Sequence, residues 1–409
     1  MLLDEILQAQ KRGEGRGIPA ICSAHPDVIR RALKLLPRPL IEATCNQVNQ
    51  YGGYTGMTPA AFVEYVRGLA GEARIPFERV LLGGDHLGPS AWQNEPAARA
   101  MDKASGMVAD YVQAGFVKIH VDCSMRLADD PEGPLDREVS ARRAARLVRT
   151  AEACGSQALR YVIGTEVPVP GGARGRKECI EVTAVEDARG TIAAFQAAFE
   201  RERVAAAWER VIALVVQPGV EFGDDFIHAY QPEAARQLSQ FIEGQPLIFE
   251  VHSTDYQTKS ALRSLVRDHF AILKVGPALT FAFREAVFTL AMLENELFGV
   301  SARSNLIRVI EETMLAHPEH WQKYYAGTER QQAFKRKSSL SDRIRYYWTQ
   351  PEVQAACRRL MENLGDHVLP PSLLNVYVGR TGLTARQVVE LHIDRVLHEY
   401  AAACGVDPA

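Results

Sequence analysis

Short apolar runs alternate with longer segments of helical periodicity as far as about residue 275. The runs are rich in β-branched residues, and the segments between them place their apolar residues on one helical face. This alternation is typical of a parallel sheet whose strands are joined by helices. Eight runs are predicted to be strands: residues 19–22, 39–43, 79–83, 117–122, 159–164, 211–216, 247–251 and 271–275.

The number and spacing of these runs favour an α/β fold that closes on itself. Eight strand–helix units in about 275 residues match the size of a (β/α)8 TIM barrel. An open doubly wound sheet is the alternative. The predicted connecting helices include residues 59–71, 95–114, 136–154, 184–207 and 233–244.

After residue 284 the pattern becomes mostly helical and stays so. Residues 283–298 and 301–316 are predicted helices, and Pro318, Pro351 and the pair Pro370–Pro371 are predicted breaks. We therefore predict a barrel domain over residues 1–299 and a C-terminal helical extension, residues 300–409, packed on the barrel.

Composition narrows the class of protein. Apolar residues make up 47% and charged residues 24% of the 409 positions, as in ordinary globular proteins. A net charge of -3 gives no electrostatic reason to expect nucleic-acid binding. The seven cysteines are widely spaced without a C-x-x-C pair, and the most apolar stretch, residues 272–293, contains charged side chains. We therefore expect a cytoplasmic protein without disulfides or membrane spans.

Polar side chains follow nearly every predicted strand. Because the carboxyl ends of the strands converge at one face of a barrel, side chains distant in sequence are expected to meet there. The residues at these ends are Ser23, Glu42, Asn46, Asp85, His86, Asp122, Ser124, Glu166, Gln217, His252 and Ser253.

The densest motif covers residues 83–89, where Asp85 and His86 stand between glycines. An ionisable pair at a strand end suits a metal ligand beside a general base. The alternative is a tight turn in which Asp85 caps the next helix.

A second histidine, His252, ends the seventh run on the same strand face as Glu250. A lone strand histidine is more often a core residue. Paired with His86 across a barrel mouth, it becomes a candidate metal ligand.

Carboxylates follow the fourth and fifth runs. His120, Asp122 and Ser124 share one face, and Glu166 lies just beyond a strand. Asp122 and Glu166 could complete a metal shell or carry protons. Either could instead pair with a buried lysine or arginine.

The eighth run leads into a candidate phosphate cup. Lys274, Gly276 and Thr280 follow the strand, and Ser253 and Thr254 lie on the adjoining loop, where barrels often bind phosphate. The glycine-rich residues 52–56 lack the lysine of a P-loop, which argues against nucleotide binding.

Eight segments together resemble one family: residues 21–26, 40–59, 83–89, 161–172, 215–222, 252–257, 268–281 and 339–348. They resemble the Z-type (GatZ/KbaZ-like) subunits of class II D-tagatose 1,6-bisphosphate aldolase, from galactitol and N-acetylgalactosamine catabolism. Such subunits are usually described as partners of a separate catalytic aldolase subunit, and some relatives as ketohexose 6-phosphate 4-epimerases.

The resemblance also implies roles for individual residues. The family looks like a distant cousin of class II aldolases, which hold zinc with histidines and use an aspartate for proton transfer. By that likeness Asp85 is the acid/base, and His86 and His252 are metal ligands. Gln217 stands where the cousins carry a ligand histidine, a departure that weakens zinc affinity.

We therefore expect metal-dependent aldol chemistry at C3–C4 of a tagatose or fructose phosphate, as an aldolase or a 6-phosphate 4-epimerase. A divalent ion, zinc first, is the expected cofactor, and a phosphorylated ketohexose the expected substrate. Expected substrate contacts include Asn46 and Asp255. The alternative is a non-catalytic partner of a separate aldolase subunit, and a homo-oligomer is expected in either case. Residues 341–348 could be an interface, a core helix or a lid whose Arg343 or Arg345 meets phosphate.

Overall fold

The computed structural model describes residues 1–155, 158–165 and 180–407. Its strands in chain order are β1 Ile18–Ile21, β2 Leu40–Thr44, β3 Leu81–Leu87, β4 Lys118–Val121, β5 Arg160–Ile163, β6 Val211–Val215, β7 Glu221–Phe222, β8 Ile227–His228, β9 Ile248–Val251 and β10 Phe270–Val275.

Eight of these strands close into a barrel. Every neighbouring pair is parallel, and the order around the barrel is β1, β2, β3, β4, β5, β6, β9, β10 and back to β1. Strands β7 and β8 form a separate antiparallel pair that the sequence analysis missed. Each of the eight predicted runs overlaps a barrel strand, so the predicted TIM barrel is confirmed and the open sheet is wrong.

Helices connect and surround the strands. Thr58 and Asp136 accept backbone N–H groups at the starts of the third and fifth helices, which fixes where those helices begin. The described helices are α1 Leu2–Lys11, α2 Pro26–Leu35, α3 Pro59–Glu72, α4 Ala97–Gln113, α5 Arg137–Ala153, α6 Val185–Arg201, α7 Pro232–Glu243, α8 Lys259–Arg267, α9 Pro277–Leu297, α10 Leu306–Ala316, α11 Glu329–Ser338, α12 Pro351–Leu364, α13 Pro371–Tyr377 and α14 Ala385–Ala403.

Helix α1 closes the amino-terminal end of the barrel. Its Leu3 and Ile6 are buried in one apolar cluster with Ile18, Leu40 and Leu81 from the first three strands. Burial of these side chains removes apolar surface from water and seals this end. This apolar packing separates the barrel interior from solvent at the amino-terminal end of the strands.

The C-terminal helices pack on the barrel helices. Helix α14 lies against α2, α8 and α9, and its Tyr400 hydroxyl donates to the Thr254 carbonyl oxygen over 2.8 Å. This contact ties the last helix to the loop after β9. The predicted division at residue 299 stays a prediction. Within the described ranges, no helix combines the length and apolarity needed to cross a bilayer.

Candidate functional site

A cavity of about 520 Å³ lies at the carboxyl ends of the barrel strands. Its wall combines side chains from the strand ends with side chains from residues 319–346 of the extension. Nine predicted site residues line it: Asn46, Asp85, His86, Asp122, His252, Ser253, Asp255, Lys274 and Gly276.

Below this cavity, the barrel interior contains buried ion pairs. Lys118 Nζ lies 2.7 Å from Glu42 Oε1 and 2.5 Å from Glu250 Oε2, and all three side chains are fully buried. Strand register places Glu42 and Lys118 level with Gly83. A Cβ at Gly83 would lie 2.8 Å from Glu42 Cγ, so the glycine leaves the space through which Glu42 reaches Lys118.

A second buried lysine, Lys274, connects these pairs to the cavity. It pairs with Glu42, and its Nζ lies 2.8 Å from Asp85 Oδ1. Burial by itself raises the pKa of Asp85, but the neighbouring His86 and Lys274 outweigh it and hold that pKa well below its usual range. Asp85 is therefore ionised at neutral pH. Its side chain contacts Lys274 and His120 and does not cap a helix, so the capping alternative is wrong.

Three histidine rings meet above the ion pairs. The ring centroids of His86 and His252 are 4.7 Å apart, and each lies 5.3 Å from the ring of His120. Asp85, His120, Glu250 and His252 each offer a potential ligand atom, and these four atoms all lie within 4.8 Å of one another. This acid–histidine group could hold a metal ion.

Within the acid–histidine group, one buried histidine nitrogen has no hydrogen-bond partner among the described residues. His120 Nδ1 lies 2.8 Å from Asp85 Oδ1, and His252 Nε2 lies 3.1 Å from Glu250 Oε1. His120 Nε2 is buried and has no hydrogen-bond partner among the described residues. Burial lowers the pKa of His252 to about 3, so its imidazole is neutral at neutral pH and keeps a lone pair.

His86 lies beside the acid–histidine group and contacts Asp122. Its Nδ1 is 2.9 Å from Asp122 Oδ2, and its backbone has a φ of 48°, in the left-handed region. A Cβ at Gly88 would lie 1.7 Å from the Asp122 carbonyl oxygen, so this glycine permits the close approach of β3 to β4.

The same pair has shifted acid–base properties. Burial by itself raises the pKa of Asp122, but the His86 hydrogen bond outweighs it and gives a pKa of about 2. Burial by itself lowers the pKa of His86, but Asp85 and Asp122 outweigh it and raise the pKa. Ser124 donates its backbone N–H and hydroxyl to Asp122 Oδ1, at 3.0 and 2.6 Å.

The predicted phosphate cup contains a carboxylate of the protein. Asp255 Oδ1 accepts the backbone N–H groups of Gly276 at 3.0 Å and Ala278 at 2.8 Å. Gly276 is one of the residues for which the sequence predicts a phosphate contact, and Ala278 follows it at the start of α9. Burial raises the pKa of Asp255 to about 6.

Two other predicted phosphate contacts bond to the protein. The Thr254 hydroxyl donates to the Lys274 carbonyl oxygen over 2.6 Å, and the Thr280 hydroxyl donates to Asp342 Oδ2 over 2.6 Å. Neither Thr254 nor Thr280 is among the described residues that line the cavity of about 520 Å³. Both hydroxyls therefore donate to acceptors within the protein: Thr254 links the loop after β9 to β10, and Thr280 links α9 to Asp342.

Two predicted residues fall outside the cavity or the described ranges. Gln217 Oε1 accepts the N–H groups of Gly219 at 2.8 Å and Val220 at 2.9 Å, so the atom predicted to bind metal closes a local turn. Gln217 is absent from the described residues that line the cavity. Glu166 lies outside the described residues.

The extension supplies a basic rim, defined as Lys323, Arg343 and Arg345, all of which line the cavity. Residues 341–348, for which the sequence left three roles open, include a short turn over Arg343–Tyr346. Tyr347 and Trp348 are buried, so this segment packs into the protein while its arginines face the cavity.

Two members of the acid–histidine group, His120 and Glu250, were not predicted from the sequence to be metal ligands. The two-residue period of a strand places Glu250 of β9 on the same face as His252, which directly follows β9, and places His120 with Lys118 on β4. Charged or imidazole side chains inside apolar strands are the signal for both. Their proximity depends on the register between β4 and β9, which are not adjacent strands.

The fold and the cavity together define a (β/α)8 barrel protein that has the acid–histidine group and the basic rim at the carboxyl ends of its strands. The chain belongs to the D-tagatose-1,6-bisphosphate aldolase subunit GatZ/KbaZ-like family, whose model matches residues 3–405. The family resemblance inferred from the sequence is thereby confirmed.

Relatives agree with this assignment. "D-tagatose-1,6-bisphosphate aldolase subunit GatZ" of Klebsiella pneumoniae is 52% identical over 384 residues, which cover 92% of this chain and 90% of that protein. The protein of the same name from Salmonella newport is 49% identical over the whole of both chains. The crystal structure of "a probable tagatose 6 phosphate kinase from Sinorhizobium meliloti 1021" is 45% identical, with a TM-score of 0.88 over 95% of this chain and 100% of that one.

Proposed function

We propose that this chain is itself an enzyme that breaks and forms the C3–C4 bond of a tagatose or fructose phosphate, with a divalent cation in the barrel mouth. One observation carries the proposal: four potential ligand atoms from Asp85, His120, Glu250 and His252 lie within 4.8 Å of one another beside a cavity of about 520 Å³. A protein that only supported another subunit would have no need of this arrangement. The six cysteines among the described residues are free thiols, which suits action in the cytoplasm.

The charges of the site fit a divalent cation. Four buried carboxylates accompany two buried lysines, which leaves an excess of two negative charges when the histidines are neutral and of one when His86, whose pKa is raised by Asp85 and Asp122, is protonated. The free Nε2 of His120 supplies a lone pair or proton without another partner among the described residues. The charged residues in this count are Glu42, Asp85, Asp122, Glu250, Lys118 and Lys274.

The residues that would hold the ion are His252, His120 and Glu250, with Asp85 beside them. Nitrogen and carboxylate donors suit zinc. A bound divalent ion supplies Lewis acidity to the carbonyl and hydroxyl oxygens of a substrate. His86 lies beside this set. Its Nδ1 is bonded to Asp122, which leaves its Nε2 as the nitrogen that could bind a metal, the arrangement typical of metal-binding histidines.

Asp85 is the proposed proton acceptor. Lys274 and His120 hold its Oδ1, so its Oδ2, 3.6 Å from His86 Nε2, is free to take the proton of the substrate C4 hydroxyl. The C3–C4 electron pair then passes into the C2 carbonyl and gives an aldehyde and an enediolate. In the reverse direction C3 of the enediolate attacks the aldehyde carbon, which re-forms the C3–C4 bond, and Asp85 returns its proton to the C4 oxygen. A positioned proton transfer of this kind contributes roughly 10²- to 10⁴-fold in rate.

Inversion at C4 requires a second acid/base on the other face of the aldehyde. Asp255 lines the cavity and has a pKa of about 6, close to the pH at which it would work. Both oxygens of Asp122 are already bonded, Oδ2 to His86 Nδ1 and Oδ1 to the backbone N–H and hydroxyl of Ser124. We therefore assign the second role to Asp255, with Glu166 as the other candidate.

A non-catalytic role is the second candidate function. It is favoured by the word "subunit" in the names of the relatives from Klebsiella pneumoniae and Salmonella newport. Under this hypothesis the chain stabilises a separate catalytic aldolase subunit. We also propose that the chain forms homo-oligomers.

The test is to incubate the purified chain alone with fructose 6-phosphate and, separately, with tagatose 1,6-bisphosphate. Tagatose 6-phosphate from the first substrate identifies an epimerase, and triose phosphates from the second identify an aldolase. Turnover that appears only after a separate aldolase subunit is added identifies the partner function and contradicts the proposal.

A further inference from the structure

The place where a barrel commonly binds phosphate is occupied here. Asp255 Oδ1 accepts the N–H groups of Gly276 and Ala278 at the start of α9. A phosphate dianion at that position would compete with this carboxylate for the same donors and be repelled when it is charged. The phosphate of a sugar phosphate therefore needs another site in the cavity.

Two arginines of the basic rim lack a counter-ion. Among the residues that the structure describes, neither Arg343 nor Arg345 has a carboxylate oxygen within salt-bridge distance. Arg343 is only 3% exposed, and its Nε has no hydrogen-bond partner. By contrast, Arg336 of the same extension is 4% exposed and pairs with Glu311 at 2.5 Å.

The contacts of these arginines hold them in place without neutralising them. Arg343 lies over the Tyr324 ring, 3.1 Å from its centroid, and donates to the His320 carbonyl oxygen over 3.1 Å. Arg345 donates to the Asp342 carbonyl oxygen and the Tyr346 hydroxyl, each at 3.0 Å. Stacking and carbonyl contacts fix a guanidinium but leave its charge without a partner anion.

A buried cation such as Arg343 without a partner anion is unfavourable, and the half-buried Arg345 two residues away adds a second positive charge. Burial, together with the nearby Arg345, lowers the pKa of Arg343. Burial by itself lowers the pKa of Arg345, but Tyr346, Tyr54 and Asp342 outweigh it and raise that pKa. A ligand with two negative charges would compensate both guanidinium groups, and planar guanidinium groups match the oxygens of phosphate in pairs.

We propose that Arg343 and Arg345 bind the phosphate monoester of the substrate, so that the C-terminal extension supplies the phosphate site and the barrel supplies the reacting groups. This inference rests on the proposed function, which it deepens by naming the residues that select a phosphorylated sugar. Both arginines line the same cavity as Asp85 and His252, so one molecule can reach both ends.

The test measures binding of inorganic phosphate to the purified full chain by calorimetry, which needs no turnover. Arg343→Gln and Arg345→Gln are compared with the unaltered chain and with Arg308→Gln. Arg308 has a side chain that is 63% exposed, pairs with Glu312 on α10 and does not line the cavity, so it is a matched control. Loss of one charge-assisted contact is expected to weaken binding roughly 10- to 100-fold in the first two variants and to leave Arg308→Gln unchanged.

Equal phosphate binding by all four proteins, or none by the unaltered chain, would overturn the proposal. Circular dichroism and the melting temperature without phosphate show whether each variant folds. If the glutamine variants unfold, Arg345→Lys replaces them, because it keeps the charge and loses the planar pair of donors; weaker binding supports the site and undiminished binding contradicts it. Phosphate binding that depends on the arginines in a chain without turnover would uphold this site and reject the proposed function.

Discussion

His86 Nδ1 lies 2.9 Å from Asp122 Oδ2, although the two residues end different strands of the barrel. The carboxylate fixes the orientation of the ring and determines which nitrogen remains available. Both residues line the cavity of about 520 Å³ at the carboxyl ends of the strands, so their contact lies in its wall.

Replacement of Asp122 by asparagine tests this contact. The amide keeps the shape of the side chain but removes the charge that orients and raises the pKa of His86. We expect kcat/KM to fall roughly 10- to 100-fold, since loss of such an orienting carboxylate typically has that effect.

Ser124→Ala is the matched control for Asp122→Asn. Its hydroxyl donates to the other oxygen of Asp122, at 2.6 Å, so its loss leaves the bond to His86 in place. A smaller fall in kcat/KM is expected than for Asp122→Asn. Equal rates in all three proteins would show that Asp122 does not orient a working group.

The buried ion pairs of Lys118 predict a large effect on stability. Lys118→Met removes the cation nearest to Glu250 and leaves Glu42 paired with Lys274 alone inside the barrel. We expect the free energy of unfolding, measured with urea, to fall by about 3–5 kcal/mol.

Arg38→Met is the surface control for that measurement. Arg38 pairs with Glu5 at 3.0 Å, but both side chains are about half exposed, so solvent screens the pair. We expect a loss of about 0–1 kcal/mol. If Lys118→Met is no more destabilised than Arg38→Met, the buried pairs do not stabilise the barrel.

Asp255 predicts how stability changes with pH. Its pKa is raised to about 6 in the folded protein by burial, so the folded state binds a proton that the unfolded state has already released. The contribution to stability is present below the unfolded pKa, about 4, and is lost as the pH rises through about 6.

Asp255→Asn removes this titration while keeping an oxygen acceptor for the N–H groups of Gly276 and Ala278. The stability of the variant relative to the unaltered chain should therefore increase between pH 4 and pH 7, by about 3 kcal/mol for a shift of about two pKa units. Urea unfolding at both values measures it. A difference that stays constant with pH would contradict the raised pKa.

Sequence patterns predicted the barrel because its strands are apolar runs and its connecting helices are amphipathic, and both signals are local. They also placed Asp85, His86 and His252 at strand ends, where the geometry of any such barrel brings them together. Which of these strand-end side chains contacts which partner depends on contacts between segments distant in sequence, and local sequence patterns do not contain that information.

The phosphate prediction illustrates this limit. Gly276 at the start of α9 has the local features of a phosphate cup, but Asp255 from the preceding loop accepts its N–H group. Likewise, Gln217 has the position of a ligand, but its oxygen bonds to Gly219 two residues away. The spacing of residues in the sequence predicts that a side chain lies at a strand end. The direction in which that side chain points depends on the geometry of the loop, which the spacing does not predict.

The metal dependence of the proposed activity is measured most directly as turnover by the chain alone after dialysis against a chelator, with zinc added back in steps and with fructose 6-phosphate and tagatose 1,6-bisphosphate as separate substrates. We predict that formation of tagatose 6-phosphate or of triose phosphates stops in the dialysed protein and is restored in full at one zinc ion per chain. Undiminished turnover by the dialysed protein, or no turnover of either substrate at any zinc concentration, would contradict the proposed function.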